Sequence, residues 1–315
     1  MSRTIVVGAA QLGPIARAED RDSVVARMIA LIDKAAKRGC TLVVYPELAL
    51  TTFFPRWFMP DQTEVDTFFE TAMPNPATAP LFARARELGI AISFGYAEKI
   101  VENGRLRRFN TSILTDASGE IVHRYRKIHL PGHSENEPWR AFQHLEKRYF
   151  EPGEEPFAPV EALGGKIGMA ICNDRRWPET YREHALRGTE MVLIGYNTPV
   201  HYPLAPEHDH LQCFHNHLSL QAGAYQNGMW VVGVAKAGRE ENCDLIGQSC
   251  IVAPTGEIVA QASTLGDELV THDCDLDRCT EIRANIFDFA KHRRPEMYPL
   301  LSAPVSPVVP AHDPA

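Results

Sequence analysis

Apolar runs of strand length recur along this chain and alternate with stretches of helical periodicity, a pattern that points to an α/β architecture. Residues 4–10 are a β-rich apolar run. Val24, Val25, Met28, Ile29, Leu31, Ile32 and Ala35 follow at helical spacing, which predicts a helix over 23–37 with Gly39 as its stop. Residues 41–45 form a continuous apolar run that Pro46 ends. The same alternation predicts a helix over 80–88, strands over 90–96 and 166–171, and a helix over 178–187. A strand over 191–196, a helix over 207–226 and a strand over 230–235 complete it.

Two further segments, TSILTDASGEIVHRY at 111–125 and SCIVAPTGEIVAQA at 249–262, each read as two strands around a Gly-Glu turn. This internal echo predicts two packed sheets built on similar units. No linker or low-complexity block interrupts residues 1–301, so one domain is expected there. The segment 302–315, with Pro304, Pro307, Pro310 and Pro314, reads as an extended or disordered tail.

The net charge of −8 disfavours nucleic acid as a partner, because phosphate binding needs a basic face. No stretch approaches the roughly 18 apolar residues of a membrane span. The opening MSRTIVVGAA is too short an apolar run for a signal peptide, so a cytoplasmic setting is expected. Seven cysteines without a CxxC pair do not resemble a disulfide framework. They are expected to be small apolar core residues, with one reactive exception.

That exception is Cys172, because of where it stands. Three distant apolar segments end on three different reactive groups: VVYPELAL on Glu47, HRYRKIHLPGH on Lys127 and IGMAICNDRRWPE on Cys172. A thiol at the end of a strand points into the crevice where α/β sheets bind ligands, and Pro178 opens the next helix behind it. With an ordinary pKa of about 8.5 the thiol needs a base or a positive neighbour. Glu47 suits the first role and Lys127 the second, as a stabiliser of thiolate and oxyanion. Each segment alone has a plainer reading, as a structural cysteine, a solvated Pro-Glu turn or a basic edge strand. Together they point to nucleophilic carbonyl chemistry.

YPELALT, RYRKIHLPG and ICNDRRWPE resemble the three signature segments of the carbon–nitrogen hydrolase (nitrilase) superfamily, and the resemblance runs from Gln11 to Asp275. It implies a four-layer αββα sandwich and a Glu–Lys–Cys triad at Glu47, Lys127 and Cys172. Glu146, in FQHLEKRYFEPG, matches the superfamily's supporting glutamate. Within that group the segments ELALTTFFPRW, RRFNTSIL, CNDRRWPE, YNTP and HLSLQAGAYQNG are most similar to N-carbamoyl-D-amino acid amidohydrolases. That likeness implies a substrate carboxylate held by Arg175 and Arg176, and guanidinium groups suit carboxylates through paired, charge-assisted bonds. It also implies substrate contacts for His144, Asn197 and Thr198, and D-selectivity. The backbone N–H of Asn173, next after the nucleophile, is a natural second oxyanion donor. Phe53, Phe54 and Trp57 are candidates for an apolar side-chain pocket. The expected partners are a small carboxylate-bearing substrate and further copies of the chain, as a homodimer or homotetramer. No cofactor and no metal are expected.

One segment pulls elsewhere. EHDHLQCFHNH gathers His208, His210, Cys213, His215 and His217, a composition suited to zinc. Their two-residue spacings put the pairs on opposed faces of a helix, and the resemblance makes this helix a flank of the site at a subunit interface. Three alternatives stay open: another thiol amidase or a ureidopropionate-type hydrolase, a zinc-dependent protein, and a non-catalytic binding protein on the same scaffold.

Overall fold

In the computed structural model, which describes residues 3–304, the apolar runs become strands of two sheets. The chain lays down β1 (Thr4–Gln11), β2 (Leu42–Val44), β3 (Ala91–Glu102), β4 (Arg105–Thr115) and β5 (Ile121–Arg126). Then come β6 (Val160–Ala162), β7 (Gly165–Ile171), β8 (Met191–Tyr196) and β9 (Trp230–Ala235). The strands β10 (Ala237–Glu240), β11 (Cys243–Ile246), β12 (Cys250–Val252), β13 (Ile258–Gln261) and β14 (Glu268–Asp275) finish the set.

The first sheet has the order β14-β1-β2-β3-β4-β5 and the second β13-β12-β9-β8-β7-β6, with β10 and β11 as a separate hairpin. Each sheet has three parallel central strands, β1-β2-β3 and β7-β8-β9, flanked by antiparallel ones. The two echoed segments are the hairpins β4–β5 and β12–β13 at corresponding edges. Their turns close alike: Asp116 N–H donates to the Glu120 carbonyl, and Ala253 N–H to that of Glu257, both at 2.9 Å.

The central strands are buried on both faces, which is why they read as unbroken apolar runs rather than alternating ones. The sheets pack face to face, β1 on β9, β3 on β8 and β4 on β7. Val7, Val44, Ile171, Ile194 and Val232 share the core between them. Helices Arg21–Lys37 and Ala79–Leu88 cover the outside of the first sheet with Met28, Leu31, Leu81 and Phe82. Helices Pro178–Leu186 and Gln212–Tyr225 cover the second with Tyr181, Leu220 and Ala224. The result is the four-layer αββα sandwich.

Element ends moved where polar side chains act. The first helix starts at Arg21 because the Asp20 carboxylate caps it, accepting from Ser23 N–H at 2.7 Å. Strand β3 runs on to Glu102, since its outer half pairs with β4 while carrying polar residues that end an apolar-run reading at Tyr96. The helix expected over 207–226 is a 3-10 segment, Pro206–Leu211, followed by an α-helix, Gln212–Tyr225. Asp209 accounts for the difference: its carboxylate holds the His201 ring at 2.8 Å and Tyr202 N–H at 2.7 Å, competing with helical bonding. On that α-helix Leu220 is fully buried, whereas Phe214 and Leu218 are exposed. The Pro-rich tail lies outside the described residues from 305 onward.

Two glycines set how closely the sheets approach. A Cβ on Gly95 of β3 would come within 2.8 Å of the Glu47 Cα, and one on Gly195 of β8 within 2.4 Å of the Glu47 nitrogen. The backbone of Glu47 is therefore clasped by one glycine from each sheet. Gly195→Ala is expected to destabilise the fold by about 3 kcal/mol or more, at the upper end of overpacking effects. Gly266→Ala, whose Cβ would meet nothing within 4 Å, should be neutral. Urea denaturation of both variants checks the contrast.

Candidate active site

Glu47 follows β2 across Pro46, in backbone that the neighbouring strand holds: Gly95 N–H donates to the Pro46 carbonyl at 3.0 Å, and Ala49 N–H to that of Gly95 at 2.8 Å. Lys127 is the first residue past β5. Its N–H donates to the Asn110 carbonyl at 2.9 Å, and its carbonyl accepts from Gly153 at 2.8 Å. Glu146 opens the short helix Glu146–Tyr149. All three side chains are completely buried.

They meet as a chain of charges. The Lys127 ammonium lies 2.7 Å from Glu47 Oε1 and 2.5 Å from Glu146 Oε2. The other oxygen of Glu47 accepts from the Asn197 backbone N–H at 3.0 Å and from its Nδ2 at 3.3 Å. The other oxygen of Glu146 faces His144 Nε2 at 3.1 Å. Burial works against the Lys127 ammonium, but Glu146, Glu47 and Cys172 outweigh it and its pKa is raised. Burial likewise opposes the Glu146 carboxylate, but Lys127 and His144 outweigh it and its pKa is lowered.

Cys172 ends β7 with φ of 46°, a left-handed conformation rare outside glycine that turns the thiol out of the sheet. The 3-10 turn Cys172–Arg176 follows. Buried Asp174 ties this elbow down, accepting from Ile171 N–H at 2.9 Å, the Tyr125 hydroxyl at 2.7 Å and His129 N–H at 3.0 Å. Burial, reinforced by the Glu47 charge, pushes the thiol pKa up, and Lys127 and Arg175 oppose this only in part. The resting group at neutral pH is a thiol with a carboxylate beside it.

The two arginines part company. Arg175 turns inward and is buried. Its Nη1 donates to the Cys172 carbonyl at 2.7 Å, its Nη2 to Thr198 Oγ1 at 2.7 Å and its Nε to Asn216 Oδ1 at 2.8 Å, with the guanidinium over the Tyr196 ring. Arg176 is exposed and makes no ion pair among the described residues. It borders a cavity of about 340 Å³ with Tyr202, His208, Gln212 and His215. Asn173 Nδ2 donates to the His129 carbonyl at 3.1 Å.

His144 and Asn197 line a small cavity with Phe53, Arg56, Cys243 and Leu245. Of the aromatic residues expected at such a pocket only Phe53 lines it. Phe54 is buried against Phe68, Phe69, Tyr149 and Phe150, and Trp57 stacks under Arg17. The histidine cluster does not converge: no three His, Cys, Asp or Glu side chains could hold a metal among the described residues.

The sequence pattern of the carbon–nitrogen hydrolases matches residues 6–284. The chain belongs to the carbon–nitrogen hydrolase family. This hydrolase is 32% identical over 231 residues to a Pseudomonas protegens protein described as "Hydrolase in pqqF 5'region", covering 73% of this chain and 72% of that one. It is 28% identical to the N-carbamoylputrescine amidase of Arabidopsis thaliana, with 95% of each chain covered. Among solved structures, a carbon–nitrogen hydrolase from Helicobacter pylori superimposes with a TM-score of 0.81 at 24% identity, over 96% of this chain and 99% of that one.

Sequence reasoning overlooked three polar groups here. Asn110, on β4, reaches both carboxylates. Asp174 lies inside a segment singled out for its neighbours. A buried set, Arg56, Lys236 and Glu240, fastens the loop after Glu47: Glu240 accepts from Phe53 N–H at 2.7 Å, Arg56 at 3.0 Å and Lys236 at 3.0 Å. The only available signal was a polar residue inside an otherwise apolar or aromatic run.

The charge cluster has a pH signature. Because its pKa is lowered, Glu146 adds stability that is complete above its unfolded value of about 4.3 and is lost as pH falls through the folded value. Lys127, with a raised pKa, adds stability present below about 10.4 and lost as pH rises through its folded value. Lys127→Met leaves two buried carboxylates facing each other and is expected to lose about 3–5 kcal/mol at pH 7. That deficit should shrink toward pH 5 as one carboxylate takes up a proton. Urea titrations of both proteins across this range check it, and a deficit independent of pH would contradict it.

Proposed function

We propose that this hydrolase cleaves N-carbamoyl-D-amino acids to the D-amino acid, carbon dioxide and ammonia. Glu47 takes the Cys172 proton as sulfur attacks the carbamoyl carbon, and Lys127 with the Asn173 backbone N–H holds the oxyanion. Glu47 returns that proton to the departing nitrogen, leaving the remaining acyl group on sulfur. Glu47 then deprotonates a water that hydrolyses it, and the thiol is restored. Glu146 and His144 orient Lys127, while Asn197 and Thr198 flank the carbamoyl group. The resting thiol requires such a base, because burial disfavours a standing thiolate.

Arg176 carries the choice of substrate. Its unpaired guanidinium stands four residues from the nucleophile and suits an anion. A cationic molecule such as N-carbamoylputrescine would be repelled there. Arg175, with its donors engaged by Cys172, Thr198 and Asn216, supports the elbow and the site wall instead. D-selectivity rests on the likeness of the quoted segments. The seven unpaired cysteines support a reducing, cytoplasmic setting, and residues 1–301 act as one catalytic domain. The rival reading, a simple amidase or ureidopropionate-type hydrolase, draws on the amidases among the relatives.

Ammonia release from paired D- and L-N-carbamoyl amino acids and from neutral amides decides between these readings. Hydrolysis of neutral amides alone would leave a thiol amidase. Cys172→Ala should lose on the order of a millionfold in turnover, and Cys172→Ser should be nearly inactive. Arg176→Ala should lower kcat/KM by about tenfold or more for carboxylate-bearing substrates, matching a charge-assisted bond of about 1.5–3 kcal/mol, and much less for amidated analogues.

Exposed Leu186, Leu218, Tyr298 and Leu301 line a groove of about 670 Å³ between the two helices on the second sheet and the segment 293–302. We propose that this face pairs two copies, and that the dimers pair again. Light scattering should give a dimer or tetramer at micromolar concentration, and a stable monomer would contradict it.

A further inference from the structure

Asn110 has no role in the chemistry set out above, yet it touches more of the charge cluster than any residue except Lys127. It lies on β4 opposite Ala97 of β3 and is fully buried. Its Nδ2 donates to Glu47 Oε1 at 2.8 Å and reaches Glu146 Oε2 at 3.5 Å. Its backbone carbonyl accepts the N–H of Lys127 at 2.9 Å. One residue thus holds both carboxylates and the backbone of the ammonium between them.

The other end of the same amide is different: Asn110 Oδ1 is buried without a hydrogen bond among the described residues. An unsatisfied buried polar atom is unfavourable, and an apolar side chain of similar size would avoid it. What keeps an amide at this position is its donor edge. Only a neutral donor fits there. Aspartate would add a third carboxylate, and a cationic side chain would compete with Lys127 for the first two. Asn110 on Oε1 and Asn197 on Oε2 also prevent the Glu47 carboxylate from rotating about its last bond.

We propose that Asn110 is a positioning residue for the reaction: it fixes the plane of Glu47 and its spacing from Glu146, so that the base meets Cys172 in a single orientation. The inference rests on the reading of Glu47 as base and Cys172 as nucleophile. The charged and titratable groups around Glu47 are Lys127 beyond β5, Glu146 at its helix start, Cys172 beyond β7 with Arg175 behind it, and Lys236 beyond β9. Of these, Lys127 shares Oε1 with Asn110, and the amide adds a second donor there without a second charge.

The test is Asn110→Ala in the full-length enzyme, with kcat, KM and the pH profile of kcat/KM measured beside a thermal melt. A misplaced base predicts a fall in kcat on the order of ten- to a hundredfold with KM near its native value. A carboxylate that loses a donor holds its proton more readily, so the acid limb of the profile should move to higher pH. A purely structural role would lower the melting temperature and leave that limb where it is. Asn110→Asp, the same shape without the donor, should be no better than alanine. Native kcat, or a lowered kcat with an unmoved acid limb, overturns the proposal. If the alanine variant does not fold, Asn110→Ser is judged by the same two readouts. Cys172→Ala run in parallel separates the two levels: activity surviving there refutes the thiol mechanism, whereas an unmoved limb with Cys172→Ala inactive refutes only the role of Asn110.

Discussion

A lysine ammonium buried between two carboxylates is the constraint around which this site is arranged. Removing three charges from water is strongly unfavourable, and mutual attraction compensates only when the geometry is close and the remaining polar atoms are satisfied. Lys127 meets both partners at hydrogen-bond distance. Asn110, Asn197 and His144 engage the carboxylate oxygens beside and beyond it. Loss of any one of these leaves a buried charge or lone pair without its counterpart, so the cluster behaves as a unit. Burial keeps the neighbouring thiol protonated, and the Glu47 charge adds to that effect.

Such a cluster needs a place where strand ends from two sheets converge, and the close approach of the sheets provides it. Gly95 and Gly195 leave room for the Glu47 backbone between β3 and β8, where any side chain would intrude. Cys172 is turned toward the same point by a backbone conformation that is unfavourable alone, and Asp174 and Arg175 hold it there through four neighbouring segments. The strain is local, and the bonds that maintain it are buried, where hydrogen bonds to charged groups are strongest.

The two adjacent arginines show how a tight turn divides labour. Over the 3-10 turn after Cys172, consecutive side chains leave on different sides, so Arg175 enters the core and Arg176 stays at the surface. The inner guanidinium braces the Cys172 carbonyl. The outer one stays at the surface. A motif of two like residues therefore contains one buried support and one surface guanidinium.

The layers and the reactive groups can be read from the chain alone. Doubly buried strands must be continuous apolar runs, helices covering a sheet must carry a stripe, and the three reactive side chains stand where those runs end. Both kinds of pattern are local, so they can be read in one dimension. The echo between segments 111–125 and 249–262 was legible for the same reason, since each hairpin closes on itself. The partners of the buried polar groups emerge only in the folded arrangement. That Asn110 reaches two carboxylates, that Glu240 ties down the loop beyond Glu47, and that Arg175 faces inward all depend on contacts between residues 23 to 187 positions apart. A buried polar side chain in a strand looks the same in the sequence whatever it bonds, because its partner is chosen by how two sheets come together and not by its neighbours along the chain.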